Sequence, residues 1–294
     1  MFTGSITALV TPFKDGKVDE AALRRLIDFQ IENGINGVVP CGTTGESATL
    51  NYEEHDHVIE VVIDAVAGRV PVIAGTGSNS TSETIQLTAH AKKAGADAAL
   101  LIAPYYNKPT QQGLYEHYRR VAEEVDIPIM LYNVPGRTGV NMLPETVARL
   151  SEIESIIGIK EATGDLKQVS EVIEYSRKGF LVLSGDDFTT LPMLAIGGHG
   201  VISVTSNVMP KEISDMVRFF KAGRFDEATR LHFSLQALHR MMFIETNPIP
   251  VKTALAMMGM ISGEFRLPLV EMAEANRVKL QGVLKSYGLE TPRS

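Results

Sequence analysis

The stretch SIIGIKEATGD, residues 155–165, indicates what kind of fold the chain adopts. Its first half holds three isoleucines around one glycine, a run that is apolar on both faces and typical of a strand in a parallel sheet covered by helices. Such a strand should not end in a lysine followed by a glutamate, yet Lys160 and Glu161 stand there. The pattern therefore raises the question of what Lys160 does.

Seven other apolar runs along the chain share this strand-like character. Their starts lie roughly 20 to 35 residues apart, and amphipathic stretches that end at glycines fill the intervals. This alternation predicts repeated βα units and a parallel sheet. The runs are SITALV (5–10), GVVP (37–40), VPVIAG (70–75), DAALLIAP (97–104), IPIMLYN (127–133), FLVLSG (180–185) and GVISV (200–204).

The number of units selects the fold within the α/β class. Eight βα units predict a (β/α)8 barrel, whereas a doubly wound open sheet usually has fewer strands and a Gly-rich fingerprint after the first. Only helical patterns follow the eighth run, and the first of them completes the last unit. We therefore expect residues 1–223 to form a catalytic barrel and residues 224–294 a C-terminal helical domain.

Composition excludes several classes of partner. The 294 residues carry a formal net charge of −7 with acids and bases interspersed, which argues against nucleic acid or an anionic membrane as a partner. Apolar runs are shorter than the roughly 20 residues that a membrane helix needs. The single Cys41 cannot form an intrachain disulfide, and the first residues lack a signal-peptide pattern. These features predict a cytoplasmic protein whose partner is a small molecule or another protein.

Lys160 stands where barrel enzymes place their chemistry, at the carboxyl end of a strand. A lysine there can simply lay its stem over apolar surface and extend its ammonium into water. Alternatively, partial desolvation favours the neutral amine, which can attack a carbonyl and form a Schiff base. Such an iminium is an electron sink for a 2-oxo acid, so this hypothesis needs no metal or other cofactor.

Other strand ends supply groups that this chemistry requires. Tyr132 ends the fifth run and can relay protons beside Lys160, or it can be an ordinary rim aromatic. In GTTGE (42–46), glycines allow a turn whose Thr43 and Thr44 N–H groups suit a carboxylate. Arg137 can bind a second carboxylate or form a surface salt bridge.

Metal and cysteine chemistry have weaker support. The seven histidines form no compact ligand motif with cysteine or carboxylates. Asp186 and Asp187, without further acidic residues at the rim, provide too few ligands to predict a metal site. We expect Asp187 to cap the following helix and Cys41 to be a small core residue.

The motifs GTTGES, YYNKPTQQGLYEHY, YNVPGRTG, GIKEATGD, LSGDD and GGHGVISV, in this order, closely resemble the dihydrodipicolinate synthase family of pyruvate-dependent Schiff-base aldolases. The resemblance covers nearly the whole chain. It implies condensation of pyruvate with L-aspartate 4-semialdehyde at the entry to diaminopimelate and lysine biosynthesis.

The resemblance also assigns roles to residues. It implies that Lys160 carries the Schiff base and that Tyr132 relays protons through Thr43 to Tyr106, which reaches into a neighbouring subunit of a homotetramer built as a dimer of dimers. It further implies that Thr44 helps to hold the pyruvate carboxylate and that Arg137 binds the semialdehyde carboxylate. The backbone at Gly185 and Ile202 is implied to line the same site.

Feedback inhibition by lysine is a further implication. In regulated members of the family the inhibitor binds in a cleft between subunits. The residues here that resemble the cleft are Ser47, Ala48, His55, Asn79, Glu83 and Tyr105. Glu83 can pair with an ammonium, although an acid in a first helical turn needs no ligand. Tyr52 stands where some regulated enzymes carry a histidine.

Two alternatives stay open at the level of sequence. N-acetylneuraminate lyase and sugar-acid aldolases resemble the same scaffold, but Arg137 favours a short aldehyde that bears a carboxylate. A barrel that binds a metabolite without catalysis belongs to a different class, and the presence of both Lys160 and Tyr132 argues against it.

Overall fold

The computed structural model describes residues 2–289 of the chain. Eight strands of one sheet run parallel to their neighbours, and a short antiparallel hairpin, Phe13–Lys14 with Lys17–Val18, follows the first of them. The strands are β1 (Gly4–Ala8), β2 (Gly37–Val39), β3 (Ile73–Gly75), β4 (Ala98–Ile102), β5 (Ile129–Asn133), β6 (Ile156–Glu161), β7 (Leu181–Ser184) and β8 (Gly200–Ser203).

The sheet closes on itself. Hydrogen-bonded neighbours follow the order β2, β1, β8, β7, β6, β5, β4 and β3. The two ends of this order meet through a parallel bridge between Val38 and Val72 and a hydrogen bond from Gly75 N–H to the Pro40 carbonyl at 2.9 Å. The predicted (β/α)8 barrel is thus confirmed, with each of the eight predicted strands in place.

Helices cover the outside of the barrel, and polar caps define where several of them begin. Asn51 and Glu54 form a reciprocal capping box before the second helix, and Asp165 accepts N–H bonds before the sixth. The helices that follow the strands are α1 (Glu20–Glu32), α2 (Tyr52–Val66), α3 (Thr81–Ala94), α4 (Gln111–Glu124), α5 (Pro144–Ser151), α6 (Leu166–Tyr175), α7 (Thr190–Ala195) and α8 (Pro210–Lys221). A helical turn, Pro135–Thr138, precedes α5.

Side chains alternate along the strands between the barrel interior and the layer under the helices. On β5, Met130 and Tyr132 point into the barrel interior, whereas Ile129 and Leu131 pack against the surrounding helices. Burial on both faces explains why the strands read as continuous apolar runs.

Three further helices pack directly on the barrel: α9 (Phe225–Met242), α10 (Ile249–Met257) and α11 (Glu274–Ser286). They share one apolar cluster with α1 and α2, in which Met242, Leu255 and Leu280 lie beside Leu26 and Val58. The division at residues 223 and 224 stays a prediction, and its two outer ends, Met1 and residues 290–294, lie outside the described residues.

A buried ion pair also joins these helices to the barrel. Lys252 of α10 bonds to the Glu46 carboxylate, which follows the turn after β2, and both side chains are inaccessible to water. The Lys252 ammonium lies 4.3 Å from the Phe13 ring centroid and 5.1 Å from that of Phe265. Burial lowers the pKa of Lys252, and the Glu46 charge opposes this shift. Removing one partner of such a pair costs about 3–5 kcal/mol, because the other charge is left buried alone.

Within residues 2–289, no helix combines the length and the apolar character needed to cross a membrane.

Candidate active site

A cavity of about 130 Å³ opens at the carboxyl ends of the strands. Most of the residues proposed from the sequence for substrate and catalysis meet there. The cavity is lined by Lys160, Tyr132, Thr43, Thr44, Arg137 and Gly185, together with Ala8, Val39, Gly42, Leu100, Val134, Ala162, Asp186, Val204, Phe243 and Asn247.

Lys160 faces this cavity because of its register in the sheet. It pairs with Tyr132 of β5 and Leu183 of β7, whose side chains belong to the barrel interior. The Lys160 side chain is 6% exposed, and its ammonium lies 4.2 Å from the Tyr132 ring centroid. Within residues 2–289 the amine forms no ion pair or hydrogen bond. It is therefore available to a ligand in the cavity.

Glu161 faces the opposite side of the sheet, as strand alternation requires. Its carboxylate accepts hydrogen bonds from the Asn133 amide at 3.1 Å and from Thr163 N–H at 2.9 Å. Burial raises the pKa of Glu161, and these hydrogen bonds oppose the shift. The two consecutive charged residues thus face opposite sides of the sheet. Lys160 lines the cavity, whereas Glu161 forms hydrogen bonds in the layer between the sheet and the helices.

The turn after β2 is held from several directions. Cys41 adopts a positive φ of 53°, and the Thr11 hydroxyl donates to the Gly45 carbonyl at 2.7 Å. Gly75 approaches so closely that a Cβ there would lie 2.4 Å from the Cys41 carbonyl oxygen. Such contacts fix the backbone that presents Thr43 and Thr44 to the cavity.

The C-terminal helical segment supplies one wall, which the sequence did not lead us to expect. Asn247 donates to the Thr44 hydroxyl at 3.0 Å, and its carbonyl accepts from Arg137 at 3.2 Å. One residue thereby positions both groups proposed to bind carboxylates. Phe243 lines the same wall. The only available signal was an asparagine between short apolar runs and prolines, TNPIP, which carries no specific meaning by itself.

The two aspartates after β7 differ from expectation. Asp186, not Asp187, caps the next helical turn by accepting from Phe188 N–H at 3.0 Å. Asp187 instead accepts from the Ser203 hydroxyl at 2.5 Å and from the N–H groups of Val204 and Thr205 at 3.0 Å. The capping prediction for Asp187 was wrong, because its side chain faces β8 and joins the ends of two adjacent strands.

Two residues proposed for the site do not line this cavity. Ile202 is fully buried inside the barrel, and Val204 lines the cavity instead. Tyr106 is 88% exposed with a positive φ of 75°. Within the described part of the chain, the hydroxyls of Tyr132, Thr43 and Tyr106 form no hydrogen bonds with one another, so the proton relay stays a prediction.

Some residues proposed for lysine binding gather near the start of α3. Desolvation, followed by the influence of Glu83 and Tyr105, raises the pKa of Tyr52. Glu83 also accepts from the Ser78 hydroxyl at 2.7 Å. Ser47 and Ala48 lie on a helical turn before α2, and Asn79 lies just before α3. His55 is buried and bonds to the Gly75 carbonyl at 2.8 Å.

Across residues 2–289, no three His, Cys, Asp or Glu side chains are arranged to hold a metal ion. Cys41 is buried in the apolar core, and burial raises the pKa of its thiol far above the ordinary value.

Comparison with known proteins points to a single family. The model of the dihydrodipicolinate synthetase family matches residues 1–287. Over 289 residues, the chain is 62% identical to 4-hydroxy-tetrahydrodipicolinate synthase of Geotalea uraniireducens, a match that covers 98% of this chain and 100% of the relative.

Solved structures agree with this assignment. The chloride-inhibited dihydrodipicolinate synthase of Acinetobacter baumannii, complexed with pyruvate, superposes with a TM-score of 0.96 at 49% identity, covering 98% of this chain and 100% of that one. The enzyme of Cyanidioschyzon merolae with lysine bound superposes with a TM-score of 0.95 at 44% identity, covering 98% and 99% of the two chains.

Space around Lys160 can be tested at Gly185. A Cβ added there would lie 2.7 Å from Ala162 Cβ and 3.1 Å from Lys160 Cε and Cγ. We expect Gly185→Ala to displace the lysine stem and to slow borohydride trapping of pyruvate on Lys160 roughly tenfold or more. Gly136→Ala is the matched control, since a Cβ added there would point into open space. Equal trapping rates in the two variants would show that the stem does not need this space.

Proposed function

The chain belongs to the dihydrodipicolinate synthetase family, and we propose that it condenses pyruvate with L-aspartate 4-semialdehyde to give 4-hydroxy-tetrahydrodipicolinate, the first committed step of diaminopimelate and lysine biosynthesis. The observation that carries this proposal is the Lys160 amine, buried and unpaired within residues 2–289, in a cavity that also contains Tyr132 and Arg137. The relatives bear the name of this synthase, an enzyme of the lyase class, rather than of N-acetylneuraminate lyase, a sugar-acid aldolase or a binding protein. A reaction of central metabolism on small acids also suits a cytoplasmic location.

The first half of the reaction forms a nucleophile on Lys160. The neutral amine attacks the C2 carbonyl of pyruvate, and loss of water leaves an iminium ion. The pyruvate methyl group then loses a proton and the iminium becomes a neutral enamine. Tyr132, beside the amine, is the proposed proton relay, with Thr43 and Tyr106 extending it. Because the iminium itself accepts the electron pair, this half needs no cofactor.

The second half joins the two substrates. The enamine carbon attacks the aldehyde carbon of the semialdehyde, and the aldehyde oxygen takes up a proton. The amino group of the semialdehyde then attacks C2, closes the ring and releases the Lys160 amine. Thr44 and the backbone near Gly185 and Ile202 are proposed to hold the pyruvate part. Arg137 is proposed to hold the carboxylate of the semialdehyde.

Borohydride reduction tests the nucleophile and the first substrate together. Reduction in the presence of pyruvate should convert the iminium at Lys160 into a stable secondary amine and abolish activity. Peptide mass mapping should find the adduct in the segment around Lys160, and Lys160→Ala should give none. Modification of a different lysine, or no modification, would disprove the mechanism.

We further propose a homotetramer in which Tyr106 completes the site of a neighbouring subunit. Its 88% exposure and its absence from the cavity of its own chain support this arrangement. Mixing inactive Tyr106→Phe chains with inactive Lys160→Ala chains should restore part of the activity, because a mixed dimer contains one complete site. If verified exchange of subunits restores nothing, Tyr106 does not act across the interface.

Lysine is the proposed feedback inhibitor, bound near Tyr52, Glu83 and Tyr105. The lysine-bound relative supports the idea, and the Glu83 carboxylate can pair with an ammonium. Lysine in the millimolar range or below should lower the initial rate partially, and Glu83→Thr should abolish the effect. Glu53→Thr, a first-turn acid of α2, is the matched control. A wild-type enzyme indifferent to much higher lysine would refute the proposal.

A further inference from the structure

Strand β6 carries one more residue than its partner β5 over the length that the two strands share. The pairing register shifts by one residue between Ile129 and Met130. Ile156 and Ile159 both pack in the layer under the helices, although strict alternation would place residues three positions apart on opposite faces. The extra residue therefore reverses the alternation, and as a result Lys160 faces the cavity.

The place of the extra residue decides which side chain lies beside Tyr132. Tyr132 pairs with Lys160 because the shift occurs near the start of β6. If the shift occurred at the carboxyl end instead, Tyr132 would pair with Ile159, and Lys160 would turn toward the helices. The chemistry therefore depends on what holds the last residue pairs of these two strands in register.

The last residue pair of these strands is joined by side chains as well as by backbone. Asn133 lies opposite Glu161, and its amide donates to the Glu161 carboxylate at 3.1 Å. The Asn133 amide oxygen accepts from Met142 N–H at 3.1 Å, which fixes the direction of the amide. Its nitrogen also donates to Asn141 at 2.8 Å, and Asn141 donates to Gln168 at 2.7 Å. The bond between Asn133 and Glu161 thus belongs to a wider network on the helix side of the sheet.

Glu161 is a costly residue at a buried position. It is 1% exposed, and in the described part of the chain its carboxylate accepts from the neutral donors Asn133 and Thr163 without pairing with a cation. Burial accordingly raises the pKa of Glu161. An ionised carboxylate accepts hydrogen bonds and donates none, so it is satisfied only when donors face it. This requirement selects the register in which Asn133 lies opposite Glu161.

We propose that Glu161 and Asn133 are positioning residues of the reaction, whose bond keeps the Lys160 amine beside Tyr132. Neither side chain lines the cavity, so both act through the strands that carry the reacting groups. This inference rests on the proposed function, in which Tyr132 moves protons to and from the substrate bound to Lys160. Without the bond, Lys160 still reaches pyruvate, but its distance from Tyr132 is no longer fixed. A misplacement of about 1 Å can slow a reaction roughly a hundredfold.

Two measurements separate the binding of pyruvate from the transfer of its proton. Borohydride trapping needs only the iminium at Lys160, whereas exchange of the pyruvate methyl protons for deuterium, followed by NMR, also needs proton removal. Glu161→Gln keeps the size of the side chain but turns an amide N–H₂ toward that of Asn133. Combining Asn133→Asp with Glu161→Gln exchanges donor and acceptor and restores the bond. Ser151→Ala is the matched control, because Ser151 is a buried, hydrogen-bonded residue at the end of α5, before β6 begins.

Glu161→Gln should slow deuterium exchange roughly tenfold or more but slow trapping less than about threefold. The double variant should recover exchange to within about threefold of the wild-type rate, because the two substitutions compensate each other. Ser151→Ala should lower thermal stability without changing either rate. Asn133→Ser, which removes the donor without adding a charge, should act like Glu161→Gln and replaces it should that variant fold poorly.

Two results would overturn the inference. Unchanged exchange in a folded Glu161→Gln enzyme would show that Lys160 and Tyr132 stay together without the bond. Equal slowing of exchange and trapping, with no recovery in the double variant, would assign both residues to the stability of the barrel. Failure of the proposed function looks different, because the wild-type enzyme itself would then neither trap pyruvate nor exchange its protons, and the positioning role would fall with it.

Discussion

The buried bond between Glu46 and Lys252 connects parts of the chain that are 206 residues apart. It lies directly after the turn that carries Thr43 and Thr44, and it anchors α10 beside the segment that places Asn247 against Thr44. Two charges without access to water stabilise the fold only as a pair, since either alone would leave an uncompensated charge in the core. Correct docking of the C-terminal helices and the correct shape of the turn that carries Thr43 and Thr44 therefore depend on the same contact.

Strand register supplies the remaining geometry. The row formed by Tyr132, Lys160 and Leu183 runs across three neighbouring strands and faces the barrel interior. Apolar residues deeper in the barrel leave the Lys160 amine at the mouth rather than in the core, and Gly185 leaves room for its stem. A rigid sheet thus holds a long, flexible side chain in one place, which a loop could not do as well.

The sequence predicted the strands well and indicated which residues follow them at the barrel rim, because both follow from local patterns. Runs buried on both faces identify the strands, and residues directly after them must meet at one end of a barrel. Contacts across long sequence separations were not predictable: nothing near Asn247 or Lys252 reveals that they face Thr44 and Glu46. The true contacts of Asp187 were missed for a similar reason, since its partners lie at the end of β8 and directly after it.

Adjacent positions 160 and 161 also protect the enzyme against misfolding. A slip of β6 by one residue would turn every side chain to the other face. The glutamate would then enter the barrel mouth without Asn133 and Thr163, and the lysine would enter the apolar layer under the helices with no carboxylate to meet it. Both errors leave a buried charge unpaired, so the slipped sheet is disfavoured twice. The two adjacent charges, one facing the cavity and one facing the helices, consequently favour the observed alignment of β6 over one shifted by a residue.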